Sequence, residues 1–280
     1  MAILAAIILV LYCVSLFSSD SGSNNSEEGV LVPKKPHEPT GKDPDNDKKK
    51  SNKDTAKKKI MIITIRSKKY TGCVDSSSPS NTDQRLACTK DNFGKPAVWG
   101  RYLGEKAGVS KGLTKKEAAF LHDKDIHILL IYNHFEDATG YENGKKQAKQ
   151  AIELAHQLNV PKQKAIFADI EPKYKVDSNF IQGWNDTLHD AKYKSGIYGS
   201  FAKGTNLTKA FLAINDDAKD AIILWSSEPQ QKTTTKKDAP SFNPQGPDQA
   251  KLYGWQYAIE AKECDIDLNI FKQEMIESLW

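Results

Sequence analysis

The sequence predicts an α/β protein built around a single (β/α)8 barrel of the TIM type, and three observations support that fold class. From about residue 70, short apolar runs alternate with polar or amphipathic helical stretches, the pattern of repeated βα units. Eight such runs fit into the remaining part of the chain, as expected for a compact barrel. The first run is not followed by a glycine-rich phosphate loop, which argues against a nucleotide-binding doubly wound sheet. An open doubly wound sheet remains the alternative fold.

Two segments precede the predicted barrel, which we assign to residues 60–280. Residues 1–17 are apolar and uncharged and could form about four helical turns, slightly short for a membrane span. We expect a signal anchor there, with a cleavable signal peptide as the alternative. Residues 18–59 are rich in Ser, Asn, Asp, Lys and Pro, which predicts a disordered linker. The apolar run 60–65 has no predicted partner and could be an edge strand or packing beneath the barrel.

The barrel elements follow in order along the chain. Strands are predicted at 71–75, 97–102, 127–132, 165–171, 195–198, 221–225, 252–257 and 264–268. Helices are predicted at 114–123, 142–158 and 177–194. The first of these helices begins with Thr114 and Glu117, the spacing of a capping box. The third has an apolar face formed by Phe180, Ile181, Trp184 and Leu188.

The fourth predicted strand carries the most informative motif, because its apolar run ends in Asp169 and Glu171 and is stopped by Pro172. Alternate side chains of a strand share a face, so the two carboxylates emerge together with Cα atoms roughly 6.5 Å apart. In a parallel barrel, this strand end lies at the active-site face. Two close carboxylates cannot both ionise freely, so one pKa rises and that group can donate a proton at neutral pH. The motif therefore points to glycan chemistry.

Two further acids are predicted to lie near this pair. Asp75 ends the first strand and Asp267 lies in the eighth, and these strands are neighbours in a closed barrel. The four carboxyls could therefore surround one cavity. An isolated acid at a strand end often caps a helix or pairs with a lysine instead, and this alternative applies most to Asp267.

Aromatic residues occur at or near several predicted strand ends, and flat aromatic walls suit the apolar faces of sugar rings. These residues are Tyr102, Tyr132, Tyr198, Trp225, Trp255 and Tyr257. We expect Tyr198 and Trp255 to line the site. The other candidate substrate-binding residues are Arg101, Tyr132, Trp225 and Tyr257. The alternative is that these aromatics fill the barrel core.

Histidine and cysteine spacing predicts neither a metal site nor a cofactor. Outside the apolar segment, the cysteines are Cys73, Cys88 and Cys264. Either one disulfide forms, with Cys73 and Cys88 nearest in sequence, or all three are buried thiols. The chain carries a formal net charge of +4, much of it from the lysine-rich linker, so we predict no specific nucleic-acid partner. A linker that acts as a nucleic-acid or partner-binding arm is a weaker alternative to a simple spacer.

Four short motifs occur in order along the predicted barrel: Gly-Cys-Val-Asp at 72–75, Gly-Arg-Tyr-Leu-Gly at 100–104, Phe-Ala-Asp-Ile-Glu-Pro at 167–172 and Gly-Ile-Tyr-Gly-Ser at 196–200. Together they resemble the glycoside-hydrolase-like domain of bacterial cell-envelope proteins. The closing Trp-Gln-Tyr at 255–257 and Asp-Ile-Asp-Leu-Asn at 265–269 are similar to the end of family-25 glycoside hydrolases, the N,O-diacetylmuramidases or lysozymes. One departure is Ser-Ser-Ser-Pro at 76–79, where muramidases often have Trp-Gln-Gly.

The resemblance implies an exported barrel that hydrolyses peptidoglycan or a related N-acetylated glycan. It implies that Glu171 is the general acid and that Asp169 orients a substrate acetamido group acting as an internal nucleophile. Asp75 and Asp267 would tune the charge and hold substrate. The alternative is a non-catalytic glycan-binding module that uses the same cleft. We expect a monomer at the outer face of a bacterial membrane or in the cell wall, attached to the membrane through its N-terminal segment.

Overall fold

The computed structural model describes residues 69–81, 83–228, 239–261 and 264–280. The predicted N-terminal segment, the linker and the apolar run 60–65 lie outside the described residues. Within the described residues, none of the helices combines the length and the apolar character needed to span a membrane.

Ten strands and seven helices are described. The strands are β1 (Tyr70–Asp75), β2 (Val98–Tyr102), β3 (His127–Tyr132), β4 (Asp137–Ala138), β5 (Ala165–Ile170), β6 (Lys175–Val176), β7 (Lys194–Gly199), β8 (Ile223–Ser227), β9 (Lys251–Ala261) and β10 (Ile266–Lys272). The helices are α1 (Asp83–Phe93), α2 (Lys115–His122), α3 (Tyr141–Gln157), α4 (Ser178–Asp190), α5 (Asn206–Leu212), α6 (Asp216–Ala221) and α7 (Gln273–Ile276).

Eight of the strands form a closed barrel in the order β1-β10-β9-β8-β7-β5-β3-β2, which confirms the predicted eight-stranded α/β barrel. One detail differs from eight repeated βα units, because β10 runs antiparallel to both β9 and β1. Only four residues separate β9 from β10. A parallel crossover needs a dozen or more residues, so this connection must be a hairpin. The short strands β4 and β6 form a separate two-stranded sheet.

The helices cover the outer face of the barrel and explain why β5 is buried along its whole length. Thr114 caps α2 by accepting a hydrogen bond from the backbone N–H of Glu117, as its spacing predicts. Helix α4 buries its predicted apolar face, and its cap is Asp177. It ends four residues before the predicted boundary, because β7 already begins at Lys194.

The cysteines differ from the pairing suggested by their proximity in sequence. Cys88 of α1 forms a disulfide with Cys264, which lies just before β10. Cys73 is a buried free thiol that packs with the inward-facing apolar side chains of the barrel. Burial raises the pKa of the Cys73 thiol well above its ordinary value. The pairing of Cys73 with Cys88 is therefore wrong, because the two side chains lie on opposite sides of the barrel wall.

Candidate active site at the barrel mouth

The structure brings the four predicted carboxyls to one end of the barrel, which we call the mouth. Asp75 ends β1, Asp169 lies next to the end of β5, and Glu171 follows that strand. Asp267 is near the start of β10 and lies directly opposite Asp75 in the antiparallel ladder. Because β10 is reversed, its first residues meet the last residues of the parallel strands. Directly opposed residues of such a ladder have Cα atoms about 4.5–5.5 Å apart.

Asp75 is buried and held by two amide side chains. Asn269 Nδ2 donates to Asp75 Oδ2 at 2.7 Å, and Gln256 Nε2 donates to the same oxygen at 3.2 Å. Burial, followed by the charge of Asp267, raises the pKa of Asp75 to about 8, against the opposing effect of these hydrogen bonds and of Arg101. Asp75 is therefore mainly protonated at neutral pH.

The close pairing of β1 and β2 at Asp75 requires a glycine. Gly100 lies beside Asp75 in the parallel ladder. A Cβ atom added to Gly100 would lie 2.6 Å from the Cβ of Asp75. The absence of a side chain at this position therefore lets Asp75 occupy the mouth.

Asp169 is the member of the Asp-x-Glu pair that is most deeply buried, with 5% of its surface exposed. Its Oδ1 atom has no hydrogen-bond partner among the described residues. Burial, then the charge of Glu171 and then that of Asp75 raise the pKa of Asp169 well above its ordinary value, while Lys106 and Lys173 oppose the rise. These effects favour the protonated form of Asp169 relative to an ordinary aspartate, and its buried Oδ1 lacks the hydrogen bond that would offset them.

Tyr102 lies among all four acids. Burial raises the pKa of its hydroxyl most, and the charges of Asp169, Asp75, Asp267 and Glu171 raise it further. The hydroxyl therefore stays protonated and can donate a hydrogen bond. Sequence reasoning placed Tyr102 at a strand end but did not select it, although strand periodicity puts it on the same face as Gly100, the neighbour of Asp75.

Tyr198, a predicted substrate-binding residue, lies at the mouth. Its hydroxyl lies 2.7 Å from Gln256 Oε1 and 3.0 Å from Ser227 Oγ. Its ring centroid is 4.4 Å from that of Trp225. Trp225 also faces inward, but only 1% of its surface is exposed, and its Nε1 donates to Asn269 Oδ1 at 2.9 Å. Trp225 therefore supports the site from below and is not placed to contact substrate.

Arg101, a predicted substrate-binding residue, lies away from the mouth, because its fully buried side chain extends from the outer side of β2 to helix α2. Its Nε donates to Glu117 Oε1 at 2.7 Å. Its Nη1 and Nη2 donate to the carbonyl oxygens of Ser76 at 2.6 Å and Lys111 at 3.0 Å. Arg101 thus joins the loops that follow β1 and β2 to helix α2.

Three predicted aromatics also face away from the mouth. The Tyr132 hydroxyl lies 2.8 Å from the side-chain oxygens of two α3 residues, Gln147 and Gln150. Trp255 and Tyr257 are buried on the outer face of β9 and contact each other. The physical reason is the two-residue period of a strand, which places these side chains outward and their neighbours inward.

The inward neighbours are the polar residues that sequence reasoning missed. Gln256 lies between Trp255 and Tyr257 and contacts both Asp75 and Asp267. Asn133 follows Tyr132, is buried, and has an Oδ1 atom without a hydrogen-bond partner among the described residues. Both residues occupy positions, within or just after a strand, that face the same side of the barrel wall as Asp169, so the two-residue period of a strand could have identified them. Across the described part of the chain, no group of three or more His, Cys, Asp or Glu side chains is arranged to hold a metal ion.

A closed eight-stranded barrel with carboxyls at its mouth places this chain in the glycoside hydrolase-like class. Residues 94–271 match the family model described as the Rv2525c-like, glycoside hydrolase-like domain. The chain belongs to this family. A comparison with curated proteins found no match.

Solved structures share the fold. An uncharacterized protein of B. stearothermophilus is 34% identical with a TM-score of 0.72, over 75% of this chain and 100% of that one. The catalytic domain of endolysin ply40 from bacteriophage P40 of Listeria monocytogenes is 15% identical with a TM-score of 0.53, over 76% and 98% of the two chains. The Tat-secreted protein Rv2525c of Mycobacterium tuberculosis, in complex with L-tartrate, is 15% identical with a TM-score of 0.50, over 74% and 98%. At these identities, the latter two show similarity of fold alone.

Proposed function

We propose that this protein is a glycoside hydrolase of the bacterial cell envelope that cleaves peptidoglycan or a related N-acetylated glycan. The observation that carries the proposal is the mouth itself, where the Asp169–Glu171 pair faces the Asp75–Asp267 pair inside one barrel end. A charged group that is buried without compensation is costly, so clustered acids of one sign favour a functional site.

Within the Asp169–Glu171 pair, we assign proton donation to Glu171. Glu171 lies beyond the end of β5 and is half-buried, so it can approach the leaving oxygen of a bound glycan. Asp169 precedes it by two residues, and its buried Oδ1 has no hydrogen-bond partner among the described residues. A substrate N–H that donates to Asp169 would stabilise its charged form, and Glu171 is the neighbouring acid that we assign to proton donation.

This arrangement favours an N-acetylated substrate. Ionised Asp169 would hold the acetamido N–H and stabilise the positive charge that develops when the acetamido oxygen attacks the anomeric carbon. Glu171 protonates the departing oxygen, and a water then opens the cyclic intermediate, with Glu171 accepting its proton. Asp75 and Asp267 set the negative charge on the side of the mouth that faces Asp169 and Glu171.

We place the protein outside the cytoplasm and tether it to the membrane through residues 1–17. The supporting observation within the barrel is the Cys88–Cys264 disulfide, because such bonds persist in oxidising compartments. The membrane attachment rests on the apolar sequence of residues 1–17.

The test is release of reducing ends from purified peptidoglycan by the full chain, beside Glu171→Gln and Asp169→Asn. We expect activity in the unmodified chain and a loss of about 100-fold or more in Glu171→Gln. The matched control is Glu153→Gln, which changes an exposed acid of α3 and should remain active. A de-N-acetylated glycan should not be cleaved, because it lacks the internal nucleophile.

Two results would contradict the proposal. Full activity of Glu171→Gln would show that Glu171 is not the general acid. If the unmodified chain cleaves neither peptidoglycan nor other N-acetylated glycans, the assignment as a hydrolase is wrong.

A glycan-binding module that does not cleave is the second candidate. It is favoured by Asn133, whose amide Oδ1 has no hydrogen-bond partner among the described residues and could accept a hydrogen bond from a sugar hydroxyl. This candidate predicts saturable glycan binding that survives Glu171→Gln, with no reducing ends released by any form of the chain.

A further inference from the structure

Gln256 links the two sides of the mouth, although no resemblance or prediction from the sequence gave it a role. Only 2% of its surface is exposed. Its Nε2 lies 3.2 Å from both Asp75 Oδ2 and Asp267 Oδ2. Its Oε1 lies 2.7 Å from the Tyr198 hydroxyl and 3.2 Å from Ser227 Oγ. Both amide hydrogens and the amide oxygen therefore have partners.

The chemistry of these partners fixes the orientation of the amide. A pair of carboxyls that holds one proton still contains one ionised carboxylate, which only accepts hydrogen bonds, whereas a hydroxyl can donate one. The NH₂ end of Gln256 therefore faces the acids, and its oxygen faces Tyr198 and Ser227. An amide flipped by 180° would place its oxygen against the ionised carboxylate.

The paired acids need such a donor, because Asp75 and Asp267 lie directly opposite each other in the β1–β10 ladder. Like charges in that position repel each other. Two opposed carboxyls are stable when they hold one proton between them and when donors solvate the remaining negative charge. Asn269 Nδ2 is a second donor to Asp75, and it lies 3.5 Å from the backbone oxygen of Asp267. Gln256 donates to both carboxyls.

We propose that Gln256 is a positioning residue that holds Asp75 and Asp267 as a pair with one negative charge, and that Tyr198 and Ser227 orient its amide. The importance of this pair for catalysis rests on the proposed hydrolase function, whereas the geometry of the pair is independent of that function.

The charged and titratable groups around the pair come from several strands. Arg101 and Tyr102 lie on β2, Asp169 on β5 and Tyr198 on β7, and Glu171 follows β5. Burial and the charge of Asp267 raise the pKa of Asp75, and the hydrogen bond from Gln256 opposes that rise. Removing the amide should therefore move the titration of Asp75 to still higher pH.

The test is an NMR titration of the full chain labelled with ¹³C at the aspartate carboxyl carbons, with signals assigned through Asp75→Asn and Asp267→Asn. In Gln256→Met, which keeps a similar side-chain volume, we expect the midpoint of the Asp75 signal to rise by about one pH unit. The matched control is Gln147→Met. Gln147 is also buried and also bonded to a tyrosine hydroxyl, but it lies on α3 outside the barrel. Its replacement should leave the midpoint unchanged.

A second variant keeps the inference testable if Gln256→Met does not fold. Tyr198→Phe removes one hydroxyl that orients the amide, and it should shift the midpoint in the same direction by a smaller amount. An unchanged midpoint in the folded variants, or an equal shift in Gln147→Met, would overturn the inference.

The titration requires no turnover, so the two proposals can fail separately. An inactive chain whose Asp75 midpoint shifts in Gln256→Met would contradict the hydrolase function alone. An active chain whose midpoint does not shift would contradict the role of Gln256 alone.

Discussion

Two buried charged clusters lie on the two sides of β2, with Arg101 in the outer cluster and Tyr102 at the mouth, and they are constructed in opposite ways. On the outer side, Arg101 and Glu117 form an ion pair at 2.7 Å, with side chains 0% and 1% exposed. Glu117 Oε1 also accepts hydrogen bonds from the Ser80 backbone N–H and hydroxyl. At the mouth, Asp75 and Asp169 are equally inaccessible, but the charges that surround them are mainly of their own sign.

The two clusters differ in whether their buried charges are compensated, and this difference indicates a stabilising role for the outer cluster and a functional role for the mouth. The outer cluster satisfies its charges internally, so it can hold the loops after β1 and β2 in place. At the mouth, one carboxyl oxygen of Asp169 has no hydrogen-bond partner within the described part of the chain, and Asp75 is mainly protonated at neutral pH. An arrangement that opposes the preferred ionisation of its own groups is typical of a site that awaits a ligand.

The largest expected effect comes from breaking the outer cluster. Arg101→Met leaves the charge of Glu117 buried without a partner, so we expect the free energy of unfolding to fall by about 3–5 kcal/mol. Chemical denaturation measures the change. The double variant Arg101→Met/Glu117→Met should recover part of the loss, because no buried charge remains. A single variant as stable as the unmodified chain would contradict the comparison.

The Cys88–Cys264 disulfide is a second stabilising feature on the outer side of the barrel. Replacing Cys88 and Cys264 with serine should lower the free energy of unfolding by about 2–4 kcal/mol, because the bond closes a long loop of the unfolded chain. A reductant should destabilise the unmodified chain similarly. The control is Cys73→Ala, which removes the buried free thiol and should remain sensitive to reductant. Equal stability with and without reductant would exclude a structural disulfide.

A smaller effect on stability is expected at the contact between Gly100 and Asp75. Gly100→Ala introduces a Cβ that overlaps Asp75, so the chain should lose about 1–3 kcal/mol and any glycan-cleaving activity should fall more than its stability. Denaturation and reducing-end release measure the two effects. Gly72→Ala is the control, because a Cβ added there has no heavy atom of the described residues within 4 Å apart from its own residue and its chain neighbours. Unchanged activity in Gly100→Ala would show that the position of Asp75 is unimportant.

The sequence predicted much of the barrel because its strands are short apolar runs between polar stretches. It also placed Asp75, Asp169, Glu171 and Asp267 at one end, since a strand terminus and the two-residue period are both readable from sequence. The reversal of β10 could have been deduced from its short connection to β9.

Other features could not be deduced so directly. Proximity to a strand end predicts substrate binding by Arg101, Tyr132, Trp255 and Tyr257. Whether each side chain points into the barrel depends instead on which of its neighbours face the barrel axis. The pairing of Cys88 with Cys264 spans 176 residues and depends on how α1 packs beside the β9–β10 turn. Such long-range proximity is a property of the assembled barrel and leaves no local pattern.

The pH dependence of stability tests most directly whether the mouth acids are held against their own ionisation. The ordinary pKa of Asp75 is 3.8, and in the folded chain it is about 8. Between these values the unfolded chain has released the proton that the folded chain retains, so the free energy of unfolding contributed by Asp75 falls as the pH rises. This contribution is fully present below the unfolded pKa and is lost as the pH rises through the folded pKa.

The measurement is chemical denaturation of the unmodified chain and of Asp75→Asn at about pH 5 and about pH 8. We expect the unmodified chain to lose about 3.5 kcal/mol more than Asp75→Asn between the two pH values. An identical pH dependence in the two proteins would show that Asp75 ionises in the folded chain as it does in water, and would contradict the functional assignment of the mouth.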